Sequence, residues 1–246
     1  MASATGIPEQ RIADAREDEP LLGRPGDVTQ AEDEYLLRNL SSGTAAIAQA
    51  GILILVALVW SAVLSEKMTF FSAHPMANTA GILLTTQAIL LLQPTHTPTQ
   101  KHRGALAHFS LLLPSSLLFI TALCVVELQK STRHLPHFAS PHSILGLTTY
   151  ILILVQALLG LAQFFLPRYV FGSVERGRKA YKYHRVLGYA VLACQLATVA
   201  AATQTAYNQE LWRVRLWTVL GAAVLVVAGV GARVKRHKMV FWSGAP

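Results

Sequence analysis

Four of the nine histidines stand where histidine is costly. His74, His108, His142 and His184 each fall near one end of a long apolar run, whereas His96, His102, His134, His137 and His237 fall in polar connections or the basic tail. Ionisable side chains inside a membrane segment are rare, and each is a functional candidate by default. Any one alone reads more simply as an interfacial residue, or one hydrogen-bonded within a bundle. Four, on four consecutive segments and 34, 34 and 42 residues apart, are what successive there-and-back helical hairpins produce. Neutral imidazole is a metal ligand. A bare zinc site wants about four converging N, S or carboxylate donors, and no Asp, Glu or Cys is apparent at the same depth. Haem iron needs only two axial ligands from the protein, and two histidines there favour electron transfer over oxygen activation.

The elements that must position these residues follow from hydropathy. Hydrophobic residues make up 52% of the 246 and charged residues 14%, with a mean hydropathy of +0.40. Soluble domains carry about a quarter charged residues, so the balance points to a bilayer. Six apolar runs, roughly 43–65, 71–93, 104–127, 140–166, 180–205 and 212–233, are each near the ~20 residues a helix needs to cross ~30 Å of hydrocarbon. Pro94 with Pro98, Pro136 with Pro141, and Pro167 with Gly172 and Gly177 separate them. The runs are continuous and lack the alternating ten-residue pattern of a membrane barrel. The expectation is an all-α fold: a six-transmembrane-helix bundle whose central four helices hold two haems, spanning 41–238.

The flanks differ in charge. Residues 1–40 carry nine of the thirteen acidic residues against four arginines, leaving 17 basic and four acidic residues for the remainder. The acidic, Pro- and Gly-containing stretch 1–40 reads as a disordered cytoplasmic tail, and 239–246 as a short C-terminal tail. Glu17-Asp18-Glu19-Pro20-Leu21-Leu22 has the form of an acidic dileucine sorting signal for an endosomal or vacuolar membrane; read as plain tail composition, it leaves the plasma membrane equally open. No basic n-region with an apolar core opens the chain, so the first apolar helix serves as its own insertion signal. The basic residues sit in short connections rather than an aromatic-rich patch, which excludes a nucleic-acid binder. Cys124 and Cys194, both in apolar segments, read as small hydrophobes.

Six crossings put both termini on one side. That side holds Lys101 and Arg103, then Arg168, Arg176, Arg178, Lys179 and Lys182, then Arg233, Lys235, Arg236 and Lys238. The other holds Lys67, Lys130 and Arg133, with Arg213 and Arg215 opening the last segment. The positive-inside rule makes both termini cytoplasmic. His74 and His142 then share one depth near the exoplasmic face, and His108 and His184 another near the cytoplasmic face. Each pair can clamp a flat macrocycle, and helical rise sets the two iron positions on the order of 20 Å apart. Gly146 and Gly188 follow His142 and His184 by four residues, and Gly160 and Ala202 follow them by 18. These small residues read either as room for a macrocycle or as ordinary helix contacts.

With those residues in view the chain resembles the cytochrome b561 family, as a short member with little beyond the core. The matching stretches are His74-Pro75, His108 after Lys101-His102-Arg103, Pro136-His137-Phe138-Ala139-Ser140-Pro141-His142, and Tyr183-His184-Arg185-Val186-Leu187-Gly188-Tyr189. The resemblance covers roughly 43–235. It implies two haem b groups, held by His74 with His142 and by His108 with His184. It also implies an oxidoreductase that takes single electrons from a cytoplasmic donor, typically ascorbate. The exoplasmic or lumenal acceptor would be monodehydroascorbate or a ferric chelate. The longer basic-aromatic motif of some ascorbate-specific members is absent before His108.

Ascorbate is an anion, and Lys101, Arg103, Arg178, Lys179 and Lys182 are the candidates to attract it or to pair with haem propionates. Plain positive-inside topology accounts for the same residues without a substrate. His137, five residues before His142, is the candidate for binding an exoplasmic acceptor or relaying a proton. A homodimer is left open. The competing class is a six-helix carrier or scaffold using its histidines for proton coupling or packing; transporters, however, break their helices at the midplane, and these histidines lie toward the two faces.

Overall fold

The computed structural model describes residues 28–235, together with Met239. The dileucine-like run at 17–22, His237 and the 240–246 part of the C-terminal tail lie outside the described residues. Six long apolar helices and one short one carry the chain: α1 (Ala45–Leu64), α2 (Ala73–Leu92), α3 (Pro98–Thr132), α4 (Pro141–Phe165), α5 (Pro167–Phe171), α6 (Val174–Ala202) and α7 (Leu216–Gly231). No strand occurs among the described residues. Five of the long helices are long and apolar enough to cross a membrane; α7 is apolar but has only 16 residues.

Two helices open more than a turn earlier than hydropathy places them. α3 starts at Pro98 rather than near residue 104, and α6 at Val174 rather than near 180. The missing turns are polar, so a hydropathy window passes over them, but caps nucleate them. The Thr97 side chain accepts from Gln100 N while the Gln100 side chain accepts from Thr97 N, with Pro98 at the first helical position; this satisfies donors that a helix N-terminus leaves orphaned. Ser173 does the same for Arg176 N at 3.1 Å. His108 and His184 are therefore nearly three turns into their helices rather than one.

The last helix also differs, opening at Leu216 rather than near 212. Residues Asn208–Trp212 form a π-helical turn, and Arg213 is left-handed with φ 54°. Asn208, buried, holds this break: its amide donates to Thr203 O and Val214 O, and its side-chain oxygen accepts from Val214 N.

The helices pair as hairpins. α2 packs against α3, α4 against α6, and α1 against α7, with α1 also on α2. Between lipid-soluble helices there is no hydrophobic driving force, so close backbone approach and polar side chains decide which faces meet. At the α1–α7 crossing Gly51 admits the partner backbone; an added Cβ would lie 2.7 Å from Ala222 O and Val226 N. Gln49 and Gln87 exchange amide hydrogen bonds of 2.6 and 2.8 Å between α1 and α2. Ser115 donates to Gly81 O at 2.8 Å between α3 and α2.

Residues 28–40, which composition groups with the acidic tail, are ordered on the face that holds both ends of the described chain. Asn39, fully buried, donates to Gln30 Oε1 and Leu91 O. Gln30 N donates to Pro94 O, Gln100 Nε2 to Ala31 O, and Arg233 Nη2 to Asn39 O. Side-chain amides here satisfy the backbone groups left over at the α2 C-terminus, and that offsets the low apolar content of the segment.

Candidate haem-binding histidine pairs

The four apolar-segment histidines are brought together as two pairs. His74 on α2 and His142 on α4 have ring centroids 6.3 Å apart, and His108 on α3 and His184 on α6 have them 6.4 Å apart. The second pair lies toward the face holding the chain ends, and the first toward the opposite face. The other described histidines stay apart from both pairs. His102 stacks on Phe164 at 6.1 Å, and His137 lies 3.5 Å from Glu127 Oε2.

Three of the four rings are held by a neighbouring helix. His74 Nδ1 lies 2.9 Å from Ala122 O on α3, His108 Nδ1 3.0 Å from Ala88 O on α2, and His142 Nδ1 3.0 Å from Thr198 O on α6. A carbonyl oxygen only accepts, so the proton of each neutral ring is on Nδ1 and the lone pair is on Nε2. Metal-ligating histidines are fixed in this way, with the second nitrogen donating to a carbonyl or carboxylate. The acceptors obey a register: Ala88, Ala122 and Thr198 each stand 14 residues after the histidine of their own helix, about 21 Å along its axis. Each hairpin thus spaces its two levels by one helical length. His184 Nδ1 is buried without a hydrogen-bond partner, and Gln156, 14 residues after His142, donates its amide to His184 O at 2.8 Å instead.

The donor set fits an axially ligated haem. Two metal–imidazole bonds of about 2 Å, with roughly 1.1 Å from ring nitrogen to ring centre on each side, give a centroid spacing of about 6.2 Å. Both pairs are within a few tenths of that. Among the described residues no group of three or more His, Cys, Asp or Glu side chains converges, so each level offers two imidazoles and needs a centre whose remaining ligands come from elsewhere.

The small residues serve the ligands more directly than expected. A Cβ on Gly160 would lie 2.9 Å from His184 Cε1, and one on Gly188 2.8 Å from Gln156 Nε2. Gly146 is ordinary by comparison, with only Thr198 Cγ2 at 3.7 Å. Of the small residues that the sequence sets beside the ligands, Gly160 makes room for the histidine ring itself.

Around His74 lies a set of rings that sequence reasoning missed. Phe71 stacks on His74 at 5.4 Å and 7°, and on Trp212 at 5.8 Å and 5°. Tyr207 packs edge-on against both Phe71 and Trp212. On the inward side Asn78 Nδ2 is 3.5 Å from His74 Nε2, and Tyr150 Oη donates to Asn78 Oδ1 at 2.9 Å. Trp212 is 138 residues from His74 in sequence, and no periodicity links them; the aromatic residues beside the π turn were the available signal.

On the face with the chain ends, Lys101 and Arg103 occupy the first turns of α3, and Arg178, Lys179 and Lys182 those of α6. Lys101, Arg103, Arg178 and Lys179 are exposed. Lys179 pairs with Glu175 at 3.0 Å, and Lys182 lies over the Tyr183 ring at 5.1 Å.

No curated protein matches the chain. The family described as eukaryotic cytochrome b561 matches residues 73–212, a stretch that contains all four paired histidines and more than half the sequence, and the chain belongs to that family.

Proposed function

We propose that this protein is a transmembrane di-haem b oxidoreductase that moves single electrons from cytoplasmic ascorbate to an exoplasmic or lumenal acceptor. Membership of the family implies transmembrane, haem-dependent electron transfer. The donor, the acceptor, the number of haems and the orientation are our reading. The observation that carries it is the pair of imidazole couples, three of whose four rings are locked by a carbonyl with Nε2 left as ligand atom. His74 with His142 would hold one haem b, and His108 with His184 the other. Bound there, haem supplies reversible one-electron chemistry with both axial positions filled.

The protein's own residues do the rest. The carbonyls of Ala122, Ala88 and Thr198 keep the Nδ1 protons and raise the basicity of the ligating nitrogens. Basic residues in the intervening connections outnumber those on the other side, which makes the chain ends cytoplasmic. Lys101, Arg103, Arg178, Lys179 and Lys182 then ring the cytoplasmic end of the inner pair and draw an anionic donor toward it. Lys179, already paired with Glu175, contributes least to that field. On the exoplasmic side His137 lies beside the Glu127 carboxylate, a setting suited to relaying a proton. The membrane is endosomal, vacuolar or plasma.

The absorption spectrum of purified protein tests this reading, taken oxidised and then with ascorbate, together with a haem-to-protein ratio. We expect about two haems per chain, both reducible. A haem-loaded protein that ascorbate leaves oxidised would remove the donor while keeping electron transfer. A protein that retains no haem would end the proposal.

A further inference from the structure

We infer that electrons leave this protein through the Phe71–Trp212 stack into a cationic groove between α1 and α7, which binds a small carboxylate-bearing ferric chelate. The inference rests on the electron-transfer reading above and adds the exit path and the site at which the acceptor binds. Three rings lie nearly parallel in sequence: His74, Phe71 at 5.4 Å and Trp212 at a further 5.8 Å. Trp212 is also a wall of an open groove of about 360 Å³, which Ser61, Ser65, Arg213, Arg215 and Thr218 help to line. That volume lies within the range of small-molecule sites. One indole therefore touches the ligand histidine's stacking partner on one side and the groove on the other.

The charge of the groove is anomalous for its location. It opens on the face away from the chain ends, where basic residues are otherwise sparse, yet two arginines border it. Both are exposed, and among the described residues no acidic side chain lines the groove. Arg213 is held in the left-handed region at φ 54°, a conformation that is unfavourable for a non-glycine residue and persists only where the surroundings enforce it. The enforcement is visible: Arg213 N donates to Asn208 O at 2.6 Å while the Asn208 side chain clamps Val214 from both sides. A π turn with such a strained exit is the kind of helix irregularity that collects at functional sites. His137, the other acceptor candidate on this face, already has the Glu127 carboxylate as its partner.

The reaction balances as a single electron. The ferric ion of the chelate becomes ferrous, its carboxylate ligands stay bonded and no proton reaches it; on the cytoplasmic side the ascorbate monoanion gives up one electron per turnover, becomes its radical anion and releases one proton there. Guanidinium groups suit the free carboxylates of such a chelate because they donate in a planar fork.

The test uses haem-loaded protein in detergent, reduced and then mixed rapidly with ferric citrate, an anion, or hexaammineruthenium(III), a cation. Arg213→Asn with Arg215→Gln is the variant, since Asn tolerates the left-handed region. We expect about tenfold or more slowing with ferric citrate and no slowing with the cation, in keeping with electrostatic steering. Equal slowing with both, or none with either, would overturn the site. Phe71→Leu should slow both acceptors while leaving the haem spectrum in place; unaltered rates would overturn the path. Redox-inert gallium(III) citrate, titrated calorimetrically, reads binding alone and needs no haem. Binding to the native chain that the double variant abolishes supports the groove, and a titration indifferent to the arginines removes it. Failure of the electron-transfer reading would appear separately, as a chain without haem.

Discussion

An added methyl at Gly160 would lie 2.9 Å from His184 Cε1, a distance no real Cβ contact sustains, whereas at Gly146 it would meet only Thr198 Cγ2 at an ordinary 3.7 Å. The two glycines are on one helix, flank the two pairs, and look interchangeable in sequence. Their contrast makes a sharp prediction. Gly160→Ala must rotate the His184 ring, so the haem-to-protein ratio should fall from about two to about one, second-layer changes near metal sites costing tenfold or more in affinity. Gly146→Ala should keep the ratio and leave melting unchanged or slightly raised, since Ala favours helix over Gly by roughly 0.5–1 kcal/mol. A pyridine haemochrome assay with thermal unfolding checks both. At this scale the histidines themselves were legible, because an ionisable group in an apolar run stands out. Their acceptors were not: Ala88, Ala122 and Thr198 act through backbone carbonyls, and every residue has one. Gln156 was equally silent, since a glutamine in a membrane helix does not announce which carbonyl it will reach.

Helices were legible in number and order, and less so in extent. Hydropathy found the six apolar bodies but missed the polar opening turns of α3 and α6, where Thr97, Pro98 and Ser173 carried the signal as caps rather than as apolar residues. The strap at 28–40 was hidden for the opposite reason. Its acidic residues set its composition, with Glu32 and Asp33 exposed and Glu34 paired with Arg38 at 3.0 Å, while a few amides do the anchoring. Asn39 is the centre of that anchoring, fully buried, with its amide on Gln30 Oε1 and Leu91 O. Asn39→Ala leaves both acceptors unpaired out of water, a cost of about 1–3 kcal/mol, and should lower the unfolding temperature in detergent. The haem ratio should hold, because the paired histidines reside on α2, α3, α4 and α6 and none is on the strap. A variant that lost haem without losing stability would show instead that the strap orders the His108–His184 pair.

Taken as a whole, the chain places its two histidine pairs about 21 Å apart along long apolar helices, and on the electron-transfer reading proposed above it offers the moving electron no accompanying cation. Among the described residues no acidic side chain lies in the middle of a long helix, and the rings at the centre, Tyr150 and Phe119, are 6.5 Å apart with the phenol committed to Asn78. A proton therefore has no chain of carboxylates to follow across the midplane, and transfer must separate charge. The consequence can be measured in sealed vesicles containing ascorbate, with a ferric chelate outside. Each electron leaving makes the interior more positive and so opposes the next. An opposing potential of 100 mV is worth about 2.3 kcal/mol per charge, roughly fifty-fold in the driving equilibrium. External ferrous ion should thus appear in a brief burst that stalls, and valinomycin with potassium inside the vesicles should restore a sustained rate by letting positive charge follow the electron. A protonophore alone should restore it as well, by carrying protons outward through the lipid. A steady rate in tight vesicles without any ionophore would mean that a cation already travels with the electron through the protein. The uncompensated path from the His108–His184 pair to the His74–His142 pair would then be wrong.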